Sequence, residues 1–110
     1  GPEKDPDIAA SYIGGRDKMN AFLSRNLYYP EGPKELGIEA KIYVQFVVKK
    51  DGTIANIKIL RGNEECAECA QEAARVIRKM NHWNPGMKDG QPVDSYFMMP
   101  INFVLDKDNR

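Results

Sequence analysis

The stretch Met80–Gly86, with the apolar segment that follows it, constrains the fold of this 110-residue chain more than any other feature. It reads Met-Asn-His-Trp-Asn-Pro-Gly and holds the only Trp and the only His. Pro85 and Gly86 end the helix that runs into them, because proline cannot continue a helix and glycine tolerates the backbone angles of a helix stop. Lys88-Asp89-Gly90 then turns the chain into a predicted final strand, residues 93–105. A small domain that ends on a strand can leave one strand edge unpaired, and such an edge can bind another chain.

Length and charge exclude several classes of protein. A chain of 110 residues predicts one domain with one modest core. Sixteen basic residues balance sixteen acidic ones, and this zero net charge argues against a general binder of nucleic acid or of anionic membranes. The sequence has no run of 18 apolar residues and no signal peptide. Because it begins at Gly1-Pro2 without Met, an export signal or membrane anchor can have preceded it in the full protein.

Hydrophobic spacing predicts two helices and three strands. Apolar residues at helical spacing predict a first helix over 16–26, and Tyr29-Pro30 stops it. Alternating residues predict a strand over 40–49, and Asp51-Gly52 predicts a hairpin to a partner strand at 53–61. The remaining features are a short helical turn between Pro33 and Gly37, a second helix capped by Asn63 with an alanine-rich apolar stripe, and the final strand.

This order of elements predicts an α+β fold, in which two helices pack on one face of a three-stranded antiparallel sheet. The third strand lies beside the first, so the strand order is 2-1-3 and the last strand occupies an edge. We assign residues 1–13 to a linker or extended arm, here called the N-terminal arm, residues 14–106 to the domain, and residues 107–110 to a polar tail.

Short motifs in a fixed order resemble the C-terminal domain of TonB proteins. The resemblance covers about residues 12–105, and the order and spacing of the motifs are specific although each motif alone is weak. It is closest to the energy transducers of Bacteroidetes, which open on an aromatic–Pro–Gly–Gly stretch where this chain has Tyr12-Ile13-Gly14-Gly15. The matching motifs are Tyr29-Pro30, Val44–Val48, Asp51-Gly52, Ile59–Arg61, Glu72–Ile77, Met80, Trp83–Gly86, Gly90–Val93 and Pro100–Phe103.

The resemblance implies a periplasmic binding domain of a Gram-negative bacterium, tethered to the inner membrane by an N-terminal helix and a proline-rich spacer. Such a domain binds the TonB box of outer-membrane TonB-dependent transporters, which adds as a strand to the domain's last strand. An ExbB–ExbD proton channel drives the anchor, so that the proton motive force is coupled to nutrient uptake. The resemblance implies neither an enzyme nor a cofactor.

The predicted partner-binding residues lie on the final strand and in the segment that the family places beside the bound box. Pro100 has no N–H and is typical of an edge strand, so we predict a usable ladder that ends before it. The strand contributes Asp94, Ser95, Tyr96, Phe97, Met98 and Met99, and the neighbouring segment contributes Asn26, Leu27 and Tyr28.

Cys66 and Cys69 leave three interpretations open. A disulfide suits an oxidising periplasm, but cysteines three apart within a regular helical turn strain the bond geometry, so the first turn would have to distort or the helix begin near Cys69. Two free thiols are the second interpretation. A catalytic dithiol is the third, although no βαβ unit precedes the pair as in thioredoxin-like proteins.

The remaining chemical signals favour a binding domain. We interpret Trp83 as core packing, and His82 has no second ligand at metal spacing. Tyr43 and Tyr96 are expected on the sheet face opposite the helices, where they form a cross-strand pair or grip a partner. No acid pair, Ser–His–Asp set or phosphate loop is present. An alternative function is a sensing module fused to another envelope protein such as a membrane metallopeptidase, and an open edge also allows a homodimer.

Overall fold

The computed structural model describes residues 1–106 of the chain, and the predicted polar tail at 107–110 lies outside the described residues. These residues form three helices and seven strands. In order they are β1 Ser11–Tyr12, α1 Gly15–Asn26, α2 Glu31–Glu35, β2 Ala40–Val48, β3 Ile54–Arg61, α3 Ala67–Arg78, β4 Trp83–Asn84, β5 Gly86–Lys88, β6 Gln91–Val93 and β7 Ser95–Phe103.

The central sheet has the strand order β3–β2–β7, and both of its pairings are antiparallel. This confirms the predicted α+β fold and the position of the last strand on an edge. The β2–β7 register is unbroken from Ala40 opposite Phe103 to Val48 opposite Ser95. The β2–β3 pairing is interrupted by two register shifts, one of them beside Tyr43. The regular side of the sheet is therefore the side that carries β7.

The core lies between the sheet and the helices. α3 buries a stripe of small and branched side chains against β2, while α1 contributes only partly buried side chains. Trp83 is 2% exposed, its ring lies 4.9 Å from Phe97 and 5.3 Å from Phe46 between ring centroids, and its Nε1–H donates to the carbonyl of Met80. The interpretation of Trp83 as a core residue is therefore confirmed. It connects the end of α3 to the sheet.

Three predicted boundaries are wrong. Pro85 and Gly86 do not end the helix, because α3 already stops at Arg78 and Trp83–Asn84 pairs with the N-terminal arm as β4. The predicted strand 93–105 is divided, because the short β5–β6 hairpin ends at Val93 and β7 begins at Ser95. Asp94 separates the two strands, and its carboxylate accepts hydrogen bonds from Lys49 Nζ and from the Lys50 N–H. These bonds hold the break in place.

The second predicted helix corresponds to α3, which begins at Ala67, and Asn63 does not cap it. Residues 63–65 lie in a turn in which the N–H groups of Glu65 and Cys66 both donate to the carbonyl of Gly62. Cys66 is the N-cap residue, and its sulfur accepts from the Cys69 N–H. The turn supplies its own backbone bonds, so the asparagine is not needed as a cap.

The N-terminal arm runs along the segment between α3 and β7. Ser11 and Tyr12 pair with Asn84 and Trp83 as β1 and β4. Ile8 forms an isolated antiparallel bridge with Met87, and Glu3 forms an isolated parallel bridge with Ser95. The outer part of the arm therefore reaches the start of the edge strand β7.

Candidate partner-binding edge

The backbone of β7 presents alternate residues to its outer edge, the side that faces away from β2. The Tyr96 N–H donates to the Glu3 carbonyl over 2.9 Å, and the Asp94 carbonyl accepts from the Glu3 N–H over 2.8 Å. Residues 94 and 96 therefore point outward. Backbone direction alternates along a regular strand, and the register with β2 has no irregularity, so residues 98, 100 and 102 point outward as well.

Glu3 and Pro100 limit which backbone groups of the outer edge are free. Glu3 takes the Asp94 carbonyl and the Tyr96 N–H, and Pro100 stands at an outward position where it has no N–H to donate. Within residues 1–106, the outward groups that no strand pairs with are the N–H groups of Met98 and Asn102 and the carbonyls of Tyr96, Met98, Pro100 and Asn102. We call these unpaired backbone groups of residues 96–102 the free ladder. It starts inside the predicted segment 94–99 and continues past the end of that segment.

The six predicted residues 94–99 divide between two faces of the sheet and the strand break at Asp94. Ser95, Phe97 and Met99 point into the core, where Phe97 packs on Phe46 and Trp83. Tyr96 and Met98 point to the opposite face and are 37% and 54% exposed. Direct side-chain contact with a partner is therefore open to Tyr96 and Met98, while the inward residues support the strand.

A groove between α1 and the outer edge flanks the free ladder. It has a volume of about 350 Å³ and is lined by Leu23, Leu27 and Ser24 on one side and by residues 100–102 on the other. Leu27 comes from the predicted segment, whereas Leu23, Pro100 and Asn102 were not predicted as site residues. The helical spacing of Leu23 and Leu27, and the proline within the strand, were the signals that could have identified them.

The other two predicted residues of that segment, Asn26 and Tyr28, lie against α3. The Asn26 carbonyl accepts from Arg75 over 2.7 Å, and the Tyr28 N–H donates to Glu72 over 3.0 Å. The Arg75 guanidinium lies 4.9 Å from the centre of the exposed Tyr28 ring. The structure therefore brings Leu27 to the edge, while Tyr28 lines a separate groove with Glu72 and Arg75.

Glu72 holds the segment after α1 in place. Its side chain is almost fully buried and accepts from Arg75 Nε over 2.7 Å as well as from the Tyr28 N–H. Burial raises the pKa of the Glu72 carboxyl, but the hydrogen bonds from Arg75 and Tyr28 outweigh it, and the pKa lies below its usual value. This charge is therefore structural and fixes where α1 ends.

Tyr43 and Tyr96 do not form a cross-strand pair, so that interpretation is wrong. Tyr43 stands opposite Pro100 and Tyr96 opposite Val47, four residues apart along β2. The Arg61 guanidinium lies 5.6 Å from the Tyr43 ring centre. Tyr96 is therefore the tyrosine that lies beside the free ladder.

Cys66 and Cys69 are joined by a disulfide in the structure. Cys66 precedes the helix with an extended backbone (φ −157°), so the pair does not lie within one regular helical turn. Both cysteines are buried.

Nothing in residues 1–106 points to a metal site or a membrane span. No group of three His, Cys, Asp or Glu side chains in that range is arranged to bind a metal ion, and His82 is exposed. None of the helices described is both long and apolar enough to cross a bilayer.

Comparison with known proteins agrees with the fold and the sequence motifs. Helicobacter pylori TonB-CTD residues 194–285, solved by NMR in solution, aligns with a TM-score of 0.64 and 23% identity over 84% of this chain and 95% of that one. The longer H. pylori fragment, residues 179–285, gives 0.63 and 22% over 88% and 91%. Pseudomonas aeruginosa TonB CTD gives 0.59 and 24% over 73% and 79%. The TM-scores establish similarity of fold, and at identities below 25% they establish the fold alone.

The sequence itself establishes the family. No curated protein sequence matches the chain. The family profile described as Gram-negative bacterial TonB protein C-terminal matches residues 25–105, which make up most of the 110-residue chain. The chain therefore belongs to the TonB C-terminal domain family, a family of receptor-interacting domains.

Proposed function

We propose that this domain captures the TonB box of an outer-membrane TonB-dependent transporter by adding it as a strand to the outer edge of β7. The observation that carries the proposal is the free backbone of Met98–Asn102 on an edge strand of regular register. An extended peptide can pair with such an edge through main-chain hydrogen bonds, and pockets for alternate side chains then give selectivity.

The surroundings of the free ladder supply both kinds of side-chain contact. Successive side chains of an added strand point to opposite faces of the sheet. On the helix side they meet the groove formed by Leu23 and Leu27. On the other side they lie beside Tyr96 and Met98, and an exposed methionine adapts its shape to different partners. We therefore expect an apolar residue of the box in the groove, and at Met98 a contact that accepts side chains of different shapes.

The proposed cellular setting follows from the family. The domain would work in the periplasm and would be tethered to the inner membrane through a segment upstream of the arm. ExbB–ExbD would act on that anchor, and the pull would reach the transporter through the paired strands. A disulfide at Cys66 and Cys69 fits this oxidising compartment. Assignment to Bacteroidetes stays a prediction.

A titration monitored by NMR tests the proposed site. Synthetic peptides that carry the TonB boxes of transporters from the same organism are added to the labelled 110-residue protein. We expect amide shifts along Met98–Asn102 and at Leu23 and Leu27. Shifts confined to the Tyr28–Arg75 groove or to β3 would contradict the edge assignment, and the absence of binding by any box peptide would contradict the function.

A proline substitution tests the backbone ladder itself. Met98→Pro removes an outward N–H that makes no bond to β2, so the fold should survive while affinity for the peptide falls. One lost net hydrogen bond is worth about 1 kcal/mol, or roughly fivefold in affinity. Met98→Ala keeps the N–H and serves as the matched control. Met99→Pro removes a bond to β2 and should unfold the domain, which separates outward from inward positions.

A further inference from the structure

The N-terminal arm occupies the first part of the same edge. We propose that residues 3–8 form a displaceable segment whose Glu3 covers the outward backbone groups of Asp94 and Tyr96, and that a partner strand pairing with the whole edge must remove it. This inference rests on the proposed function, since it concerns competition for the same backbone groups. It predicts that the arm sets both the affinity and the starting position of the partner.

The contact at Glu3 uses the groups that an incoming strand would use. Its N–H donates to the Asp94 carbonyl over 2.8 Å, and its carbonyl accepts from the Tyr96 N–H over 2.9 Å. Its carboxylate lies 2.8 Å from Lys88 Nζ on the β5–β6 hairpin, and both side chains are partly exposed. Two backbone bonds and one solvent-exposed ion pair make a weak attachment.

The next residues of the arm guide Glu3 to the edge. Ile8 exchanges two backbone hydrogen bonds with Met87, of 3.1 and 2.9 Å, and the Asp7 carboxylate accepts from the Asp89 N–H over 2.8 Å. Pro6 packs where Gly86 has no side chain, since a Cβ added to Gly86 would lie 3.3 Å from the Pro6 Cβ. These contacts hold the arm against the hairpin beside the start of β7.

The inner part of the arm is anchored much more firmly. Ala10 is buried, and the Tyr12 ring meets Trp83 edge-on at 5.5 Å between ring centroids. The outer part has no comparable apolar anchor, since Ile8 is 63% exposed. The arm is therefore built to detach from its outer end, while residues from Ala10 onward remain part of the fold.

Lys4 of the arm lies near the start of the free ladder, on the sheet face opposite the helices. Lys4 lines a shallow groove of about 460 Å³ together with Tyr96, Phe97 and Met98. A partner that reaches Met98 would therefore meet the arm even if it did not pair with Asp94. Release of the arm adds one donor and one acceptor to the edge. Since one net hydrogen bond is worth roughly fivefold in affinity, the two together correspond to about a 25-fold gain once the arm no longer competes.

Amide hydrogen exchange of the free protein tests whether the arm occupies the edge. Outward N–H groups of an edge strand exchange rapidly unless a partner protects them. We expect the Tyr96 amide to exchange at least about tenfold more slowly than the outward amides of Met98 and Asn102. Lys88→Glu should reduce this protection because it replaces the ion pair with Glu3 by a like-charge pair, and the double charge reversal Glu3→Lys with Lys88→Glu should restore it. Equal exchange at Tyr96 and Met98 in the parent protein would overturn the proposal.

Peptide binding then tests competition. Calorimetry measures the affinity of a box peptide for five proteins. They are the parent, Lys88→Glu, the double reversal, a chain that lacks residues 1–6, and Lys79→Glu as the control for the change in charge. We expect about 25-fold tighter binding by the truncated chain and a smaller gain by Lys88→Glu, since the exposed ion pair is only part of the attachment. Parent affinity is expected in the other two. Equal affinity in all five proteins would overturn the competition while leaving the proposed function standing. Loss of binding in every protein would instead defeat the proposed function, and the competition with it.

Discussion

Replacing Pro100 by alanine should create a better binding edge, because it adds the one outward N–H that the free ladder lacks. The residue is exposed, stands opposite Tyr43 and lies between the outward residues Met98 and Asn102. The new donor would point at an added strand and would leave the β2–β7 bonds unchanged. One net hydrogen bond corresponds to about 1 kcal/mol, so affinity for a box peptide should rise roughly fivefold.

The same substitution carries a cost that can be measured separately. Loss of proline frees the unfolded chain and should lower the free energy of unfolding by about 0.4–1 kcal/mol. Because proline also protects an edge from pairing with other edges, Pro100→Ala should increase self-association in sedimentation experiments at high concentration. Calorimetry with the peptide and denaturant unfolding of the free protein are the two assays. A variant that gains no affinity while Met98→Pro loses it would show that the partner strand ends before residue 100, which would refute the ladder extending to Asn102.

Three further predictions concern the scaffold. Glu72→Gln should lower the free energy of unfolding by roughly 1–3 kcal/mol at pH 7, measured by denaturant titration. Because the pKa of Glu72 is lowered on folding, the difference in stability between the parent and the variant should shrink as the pH falls below 4.5. Unfolding without reductant should release no titratable thiol from Cys66 and Cys69, and reduction should lower the free energy of unfolding by about 2 kcal/mol, whereas two thiols would exclude the bridge. Gly52→Ala should lower the free energy of unfolding by about 2 kcal/mol or more, since its φ is +88° and an added Cβ would lie 2.6 Å from a backbone carbonyl oxygen. Gly90→Ala is the control, because Gly90 has a positive φ but open space around it, and its loss of stability in thermal melts should be smaller.

Local signals made the main elements of the fold predictable. Gly14-Gly15 and Tyr29-Pro30 bound α1, and Asp51-Gly52 joins β2 to β3, so the boundaries of these elements agree with the sequence pattern to within a residue or two. The edge position of β7 followed from a hairpin, a crossing helix and one more strand. These features depend on residues that are close together in the chain.

The arm and the strand break depend on contacts between distant residues and leave no periodic pattern. Asp94 interrupts the predicted strand because Lys49 and Lys50, at the end of β2, hydrogen-bond to its carboxylate. Glu3 reaches β7 through backbone bonds, which any residue type can make. Pro100 was used only to end the predicted ladder. A proline within a regular edge strand stands at an outward position, and this would also have marked Met98 and Asn102 as the outward donors.

The free ladder alone is too short to hold a partner firmly. Its outward groups are the carbonyls of Tyr96, Met98, Pro100 and Asn102 and the N–H groups of Met98 and Asn102. At about 1 kcal/mol for each net hydrogen bond, their sum is near the lower end of the roughly 4–15 kcal/mol that association costs in lost freedom. Useful affinity must therefore come from side chains seated in the groove of Leu23 and Leu27 and beside Met98. It follows that Leu23→Ala should weaken binding more than Met98→Pro does, and the opposite ranking would show that the backbone ladder dominates.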